Sequence, residues 1–249
     1  MTLTWQALAI LAVVALVAGF LDTLAGGGGL LTLPALLLAG VPPLAALGTN
    51  KLQGSFGTGM ATYQVIRRRR VHLRDVRRPM LIAFGGSAAG SIAVQFAHAD
   101  SLRVLIPIVL GVIAAYFLFV PRAHHPPPEP RVSATGYEAA VVPAIGAYDG
   151  AFGPGTGSLF AASGVALRAL PLVTSTAIAK TLNFATNVAS LIVFAVAGQM
   201  VAAAGVVMIA GQLVGAYAGS HVLFRVNPLV LRALIVAVSL AMLVRFLLA

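Results

Sequence analysis

The sequence predicts an all-α integral membrane protein with two inverted-topology repeats, each made of a broken re-entrant helix pair and about three transmembrane helices. One observation is composition: 59% of the 249 residues are hydrophobic and 9% are charged, whereas soluble domains carry about 25% charged residues. Another is an internal repeat of glycine and aspartate. A third is the placement of arginine between apolar runs, which is typical of orientation signals in membrane proteins.

The internal repeat relates the stretch Gly19–Gly29 to the stretch Gly146–Thr156. Placing Asp149 on Asp22 also superposes three glycine pairs, which are Gly19 with Gly146, Gly26 with Gly153 and Gly28 with Gly155. Each copy is an apolar run that reaches an acid and is then interrupted by glycine, which holds a helix poorly. Each is followed by one of the two lysines of the chain, Lys51 or Lys180.

Residues 1–121 are predicted to form the first transmembrane repeat. Its helical segments are expected at Leu3–Ala25, Leu30–Ala39, Leu44–Ile66, Pro79–Phe96 and Leu102–Val120. The glycine run Gly26–Gly29 separates the first segment from the second, and the second has only ten residues, about half the length that crosses a bilayer. This pair therefore predicts a helix, an unwound glycine knot and a re-entrant half-helix.

Residues 136–249 are predicted to form the second, inverted repeat, after a proline-rich linker at 122–135. Its segments are expected at Tyr137–Phe152, Ser158–Leu167, Thr174–Ala197, Val201–Phe224 and Leu229–Leu247, with the second knot at Gly153–Gly157. Small residues predict close helix packing in two places, at Gly85, Gly86, Gly90 and Ser91 and at Gly211, Gly215 and Gly219.

Loop charges predict that the two repeats have opposite orientations. Seven arginines lie within Arg67–Arg78, after the lysine segment of the first repeat, whereas the corresponding loop Gly198–Met200 has no charge. The turn Gly40–Pro43 is uncharged, and its counterpart carries Arg168. By the positive-inside rule, Arg67–Arg78 and the linker are cytoplasmic. The same distribution explains the net charge of +10 without nucleic-acid binding.

Two of the six acids, Asp22 and Asp149, lie deep in apolar sequence. A charge inside a membrane costs about 2.5–3.5 kcal/mol on insertion scales, so such residues usually have a partner and a task. Lys51 and Lys180 are the natural countercharges. Two roles stay open for each aspartate. It caps or holds the glycine knot through backbone N–H groups, or it handles a ligand or a coupling proton.

The same regions carry groups that suit a small anion. A half-helix that begins inside the membrane has free N–H groups and a partial positive charge at its start, and glycine lets an anion approach them. The predicted substrate-binding residues lie in or beside the two knots and the two lysine segments: Gly26, Gly27, Gly28, Gly29, Thr49, Asn50, Lys51, Gln53, Gly153, Gly155, Thr156, Gly157, Lys180, Asn183 and Asn187. No catalytic residue, metal site or cofactor is predicted, since the chain has no cysteine and no nucleotide-binding motif.

These residues resemble the TauE/SafE sulfite exporter family, also called the 4-toluene sulfonate uptake permease family. The resemblance covers nearly the whole chain, and its most specific parts are Asp22–Gly29 with Pro34, Gly48–Gln53, Tyr148–Gly157 and Lys180–Asn183 with Asn187. It implies a secondary transporter of small sulfur-containing anions such as sulfite, thiosulfate or organosulfonates. It also implies a location in the plasma membrane of a bacterium or archaeon. Substrate and direction vary within the family.

Gradient-driven transport with alternating access is therefore expected, with a small anion as the partner and the lipid bilayer as the surroundings. A coupling proton and a homodimer stay open as further partners. One alternative is an anion channel, which has the same pocket without alternating access, and another is a transporter of a different small carboxylate or oxyanion. A membrane-embedded enzyme is the weakest alternative, because no nucleophile or metal set accompanies the aspartates and lysines.

Overall fold

The computed structural model describes residues 3–25, 27–119 and 127–222, and every regular element in these ranges is helical. The helices are α1 (Trp5–Ala25), α2 (Gly29–Leu38), α3 (Pro43–Arg67), α4 (Leu73–Gln95), α5 (Ala99–Phe119), α6 (Ala134–Gly136), α7 (Val142–Ala151), α8 (Thr156–Arg168), α9 (Leu172–Val196) and α10 (Ala202–Val222). A π-helical turn, Tyr137–Val141, joins α6 to α7. The all-α prediction is confirmed. The predicted segment Leu229–Leu247 and the linker residues 122–126 lie outside the described residues.

Both predicted helix breaks are present. The first lies between the end of α1 and the start of α2 at Gly29, and Gly26 within it lies outside the described residues. The second separates α7 from α8. There Gly153 and Gly155 have φ angles of 97° and 79°, which residues with a Cβ rarely adopt. Because α2 and α8 have only 10 and 13 residues, neither is long enough to cross a bilayer alone.

The fourth helix begins earlier than the sequence interpretation placed it. That interpretation started the segment at Pro79, but α4 starts at Leu73 and carries Pro79 in its interior. The additional turns bring Asp75 into the first turn of the helix, where a negative charge suits the helix dipole. They also bury Val76 in a cluster with Ala177 of α9. Packing on one side therefore extends the helix through an arginine-rich segment that looked like a loop.

The helices pack in pairs that relate the two halves of the chain. α1 packs along α10, α4 packs along α7, and α3 lies against α9. The aspartate of the first repeat is on α1 and that of the second is on α7, so each broken helix packs along a helix from the other half. A duplicated plan accounts for this exchange. The opposite orientation of the two repeats stays a prediction.

Close backbone contact along both pairs confirms the predicted small-residue seams. A Cβ added to Gly90 would lie 2.0 Å from the carbonyl oxygen of Ala147, and one added to Gly215 would lie 1.9 Å from that of Leu16. Such distances leave room for glycine only, which is how small residues let membrane helices approach. Gly85 departs from the prediction, since an added Cβ would meet nothing within 4 Å.

The surface and the interior of the bundle have the polarity expected in lipid. Four helical segments in the described ranges are long and apolar enough to cross a membrane: Trp5–Leu24, Ala99–Tyr116, Leu172–Val196 and Ala202–His221. Large apolar side chains such as Ile10, Val112 and Val206 are exposed on their surfaces. α3 has the opposite character, because it buries a run of polar side chains that includes Asn50 and Lys51. These buried groups form the candidate site.

Candidate functional site

A polar cavity lies where the two helix breaks meet α3, α9 and α10. Its lining residues, which come from both halves of the chain, are Asp22, Gly28, Gly29, Asn50, Lys51, Gln53, Gly54, Thr58, Gly153, Gly155, Thr156, Asn183, Asn187 and Gln212. Its volume is about 30 Å³, which is room for about two water molecules. The starts of α2 and α8 both border this space, so the positive ends of two helix dipoles lie beside it.

Lys51 is the cation of the cavity, and it is paired with an acid from the other half. Its Nζ lies 2.9 Å from Oδ1 of Asp149, and both side chains are only 1% exposed. Nζ makes no further hydrogen bond in the described structure. Because an ammonium has three donors, Lys51 keeps donors for a ligand in the cavity while it remains paired. Asp149 is near the end of α7, so the pair also joins α3 to the second break.

Asp22 has a different environment from Asp149, although the repeat relates the two. Its Oδ1 accepts a hydrogen bond of 3.1 Å from the backbone N–H of Gly28. A Cβ added to Gly28 would lie 2.9 Å from the Cβ of Asp22, so the carboxylate and the glycine are packed together. The Asp22 side chain thus holds the first break just before α2 begins. This is the knot-holding role that the sequence left open.

Lys180 contacts the first break from the other direction. Its Nζ donates a short hydrogen bond to the backbone carbonyl oxygen of Asp22, and the residue is 5% exposed. The lysine of each half therefore reaches the aspartate of the other half, Lys51 through the carboxylate and Lys180 through the main chain. Lys180 is not among the residues that line the cavity, so it lies behind Asp22 and not at the ligand space.

The second break is shaped by glycine and by proximity to Lys51. A Cβ added to Gly153 would lie 2.8 Å from Nζ of Lys51, so only glycine leaves that space to the ammonium. Thr156 Oγ1 donates to the carbonyl oxygen of Gly153 at 2.8 Å, which closes the turn before α8. Tyr148 donates through its hydroxyl to the carbonyl oxygen of Pro154 at 2.6 Å. These bonds hold the backbone of the break beside the cavity.

Amide side chains form a network on the α3 side. The Oδ1 of Asn50 accepts from Thr32 Oγ1 at 2.5 Å and from Gln53 Nε2 at 3.0 Å. The Nδ2 of Asn50 is thereby directed away from this network, and it lies 3.6 Å from where a Cβ on Gly29 would be. On α9, Asn187 Nδ2 donates to Oδ1 and to the carbonyl oxygen of Asn183. The predicted polar residues thus lie on two facing helices.

Sequence reasoning did not single out Gln212 of α10, which lines the cavity. The residue is 2% exposed, and its Oε1 has no hydrogen-bond partner in the described structure. Its Nε2 lies over Gly57, where an added Cβ would come within 2.3 Å. The sequence signal that could have identified Gln212 is its position as an amide side chain inside the 44-residue span Thr181–Phe224, which has no Asp, Glu, Lys or Arg.

Gln212 also makes the two halves differ. Its carbonyl oxygen packs against Gly19 of α1, and at the equivalent place in the other half the carbonyl oxygen of Ala83 of α4 packs against Gly146 of α7. Ala83 has no polar side chain, whereas the Gln212 side chain lines the cavity and its Oε1 has no hydrogen-bond partner in the described structure. A polar side chain therefore lines the cavity at this position in one half only.

Five predicted site residues lie elsewhere or outside the description. Thr49 accepts from the backbone N–H of Val201 at 2.9 Å, so it holds the start of α10. Gly27 is buried in the first break and Gly157 in the first turn of α8, and neither lines the cavity. Lys180 is described above, and Gly26 lies outside the described residues. Among the described residues, no group of three or more His, Cys, Asp or Glu side chains is placed to hold a metal ion.

Comparisons with known proteins give a consistent result. The family model for sulfite exporter TauE/SafE matches residues 11–246. The probable membrane transporter protein ORF9 of Sinorhizobium sp is 40% identical over 245 residues, which cover 98% of this chain and 94% of the relative. The probable membrane transporter protein YfcA of Escherichia coli K12 is 40% identical over 94% of this chain and 87% of its own. A probable membrane transporter protein of Haemophilus influenzae is also 40% identical, over 94% of this chain and 92% of its own. No solved structure matches at significant similarity.

Proposed function

The chain belongs to the sulfite exporter TauE/SafE family of membrane transporters, and on that premise we propose that it is a secondary transporter of small sulfur-containing oxyanions. The substrate binds in the cavity between the two helix breaks. Lys51 neutralises part of its charge, and the N-termini of α2 and α8 donate hydrogen bonds from the backbone. The amides of Asn50 and Gln212 complete the donor set.

The observation that carries this proposal is the convergence of three positive features on one polar cavity. Two helix N-termini and the Lys51 ammonium border the same cavity, although they come from separate parts of the chain. A helix N-terminus favours anions because its N–H groups are unpaired and its dipole is positive at that end. The Lys51 ammonium has donors beyond its pair with Asp149, and a charged donor binds an anion more strongly than a neutral one does.

The size of the cavity ranks the candidate anions. Its volume of about 30 Å³ suits the most compact oxyanions better than a group as large as an aromatic ring. Glycine at positions 29 and 153 keeps even this space open, because an added Cβ at each position would come within 3.2 Å and 2.8 Å of a neighbouring atom. We therefore place inorganic oxyanions ahead of bulky organosulfonates.

Alternating access is proposed to come from movement of one half against the other. Because α1 packs along α10 and α7 along α4, this movement would take place at these two contacts between the halves. In the proposed orientation the arginines of Arg67–Arg78 face the cytoplasm across the plasma membrane, in accord with their exposure to solvent.

The test is binding followed by flux. Purified protein is screened by thermal shift against sulfite, sulfate, thiosulfate, methanesulfonate, toluenesulfonate and acetate, and uptake of the best anion is then measured in proteoliposomes. We expect saturable uptake of a small sulfur oxyanion, together with loss of both responses in Lys51→Ala. Arg67→Ala is the control, because it removes an exposed cation far along the same helix.

Three results would contradict the proposal. The first is stabilisation by acetate alone, which would indicate a carboxylate transporter. The second is flux that never saturates, which would indicate a channel. The third is full uptake by Lys51→Ala, which would remove the ammonium from the site.

A further inference from the structure

The buried charges of the site cancel when the site is empty. In the part of the chain that the structure describes, the fully buried ionisable side chains are Asp22, Lys51, Asp149 and Lys180, each at most 8% exposed. Two carboxylates and two ammonium groups add to zero. The cation beside the cavity is therefore already neutralised before a substrate arrives, because Lys51 is paired with Asp149 at 2.9 Å.

An anion that entered this neutral site alone would leave a net negative charge inside the membrane. An isolated charge there costs about 2.5–3.5 kcal/mol on insertion scales, and the neighbouring carboxylates would repel the newcomer. A positive charge that enters with the anion removes this cost. The smallest such charge is a proton, and it needs a carboxylate that can accept it.

We propose that Asp149 is this acceptor: the anion displaces it from Lys51, Asp149 takes up a proton, and the transporter moves anion and proton together in the same direction. This inference rests on the proposed function and names its coupling ion. It also assigns different roles to the two aspartates that the repeat makes equivalent.

The assignment to Asp149 follows from the contacts of the two acids. The Asp22 carboxylate accepts from the N–H of Gly28 and is packed against that residue, so it has a structural partner that a proton would disturb. Asp149 has Oδ1 beside Lys51 and a buried Oδ2 with no hydrogen-bond partner. Displacement from Lys51 would leave its charge uncompensated in a buried place, where the neutral acid is the favoured form.

The proton balance is complete without any other reactant. An O–H bond forms at a carboxylate oxygen of Asp149 with a proton from water on the side from which the anion enters. Lys51 stays protonated, and its ammonium pairs with the anion in place of Asp149. On the other side the anion leaves, the O–H bond breaks to water, and the Lys51–Asp149 pair forms again. The loaded site with a monovalent anion and the empty site are both neutral, so both can change orientation.

Other titratable groups near Asp149 are few. Lys51 faces it from α3, and Tyr148 precedes it on α7 with its hydroxyl bonded to Pro154. The other helices that pack on α7 carry their ionisable groups elsewhere. Lys180 of α9 contacts Asp22, and Arg168 is at the far end of α8. On α4, the carbonyl oxygen of Ser87 packs against Gly150 beside Asp149, and the ionisable residues precede Ser87 by more than two turns: Arg74, Asp75, Arg77 and Arg78. Beyond the π-helical turn, Glu138 pairs with Arg78 at 3.2 Å.

The pair also connects the two halves mechanically. Lys51 belongs to the first repeat and Asp149 to the second, so their separation by the anion removes one of the contacts that hold the halves together. Substrate binding and proton uptake would then be linked to the movement that changes access. A proton alone would leave Lys51 uncompensated, and an anion alone would leave Asp149 uncompensated, which disfavours leakage of either one.

The experiment uses the full chain in proteoliposomes with an entrapped pH dye and the membrane potential clamped to zero. The probe is radiolabelled methanesulfonate, because it is a monovalent anion that stays fully ionised near neutral pH and so makes the loaded site neutral. With acid outside, we expect the anion to accumulate inside up to about tenfold above its outside level for a pH difference of about one unit, because one proton enters with each anion, and we expect acidification inside. A sodium gradient is expected to have no effect.

Asp149→Asn separates coupling from binding. We expect it to exchange internal for external labelled anion while gradient-driven accumulation and proton entry are lost. Glu138→Gln also neutralises an acid on the helical segment before the second break, and it is expected to keep both gradient-driven accumulation and proton entry. Anion entry without acidification in the wild type overturns the inference even if Asp149→Asn does not fold. Accumulation driven by sodium, or by protons in Asp149→Asn, overturns it as well. Absence of flux for every anion contradicts the proposed function itself.

Discussion

Lys51 Nζ and Asp149 Oδ1 lie 2.9 Å apart and connect the two halves of the chain at a place where each side chain is 1% exposed. The pair borders the cavity through Lys51 and reaches the end of α7, just before the second helix break, through Asp149. The contribution of this pair to folding stability can be measured separately from its contribution to anion binding. A buried ion pair need not stabilise the fold, even though the loss of one of its two members is costly.

The first prediction concerns this pair. We expect Lys51→Met to destabilise the protein by about 3–5 kcal/mol, because it leaves the Asp149 carboxylate buried without a countercharge. The double variant Lys51→Met with Asp149→Asn is expected to regain most of that loss, since no unpaired charge remains. Thermal midpoints of the purified single and double variants measure the difference. If the double variant is no more stable than Lys51→Met, the two residues are not coupled.

The second prediction distinguishes the two lysines. Lys180 lies behind the cavity and donates to the main chain of Asp22, so Lys180→Ala is expected to lower the thermal midpoint more than it lowers anion affinity. Lys51→Ala is expected to lower affinity at least tenfold, because it removes the ammonium beside the ligand space. Anion titrations followed by thermal shift report both quantities. Equal losses of affinity in the two variants would place Lys180 at the substrate as well.

The third prediction concerns the left-handed glycine of the second break. We expect Gly153→Ala to lose anion binding, because its Cβ would enter the space of the Lys51 ammonium at 2.8 Å. Gly198→Ala is the matched control, since Gly198 also has positive φ, 66°, but nothing within 4 Å of an added Cβ. Both variants carry backbone strain of about 1–3 kcal/mol, and only Gly153→Ala is expected to affect binding. Loss of binding in both would point to strain alone.

The fourth prediction tests Gln212, a cavity residue that sequence reasoning did not single out. Gln212→Leu removes a buried amide whose Oε1 has no partner, so we expect it to leave stability unchanged or raised. Anion affinity is expected to fall about tenfold or more, since a hydrogen bond to a charged group contributes about 1.5–3 kcal/mol. Gln95→Leu is the control, because that amide bonds within its own helix. Unchanged affinity in Gln212→Leu would remove α10 from the substrate site.

The fifth prediction uses two adjacent glycines of α4. A Cβ at Gly86 would lie 2.4 Å from the carbonyl oxygen of Pro143, whereas one at Gly85 would meet nothing within 4 Å. We expect Gly86→Ala to be strongly destabilising because α4 and α7 would have to separate. Gly85→Ala is expected to be neutral or to stabilise by about 0.5–1 kcal/mol, since glycine is unfavourable inside a helix. A reversed order in thermal midpoints would show that the seam is not as close as described.

Features that depend on short stretches of chain were predictable from the sequence. Apolar runs specify membrane helices, and glycine interrupts them, so the breaks before α2 and α8 were placed within a few residues. The predicted start of α4 was wrong because the packing of Val76 against α9, which extends the helix, has no signal in the local sequence. The predicted seams depended only on small-residue spacing, and Gly85 shows that spacing alone does not say which neighbour faces another helix.

By itself the sequence determined the class of protein and which residues are unusual in lipid: two aspartates, two lysines and the glycines and amides around them. Tertiary structure alone decided how they combine. The lysine of each half reaches the aspartate of the other half, Asp22 holds a break while Asp149 pairs with Lys51, and Gln212 enters the cavity from α10. The physical reason is that local patterns report what a residue can do in a helix or a turn. Pairing of buried charges depends on which helices lie side by side, and that depends on packing along the whole chain.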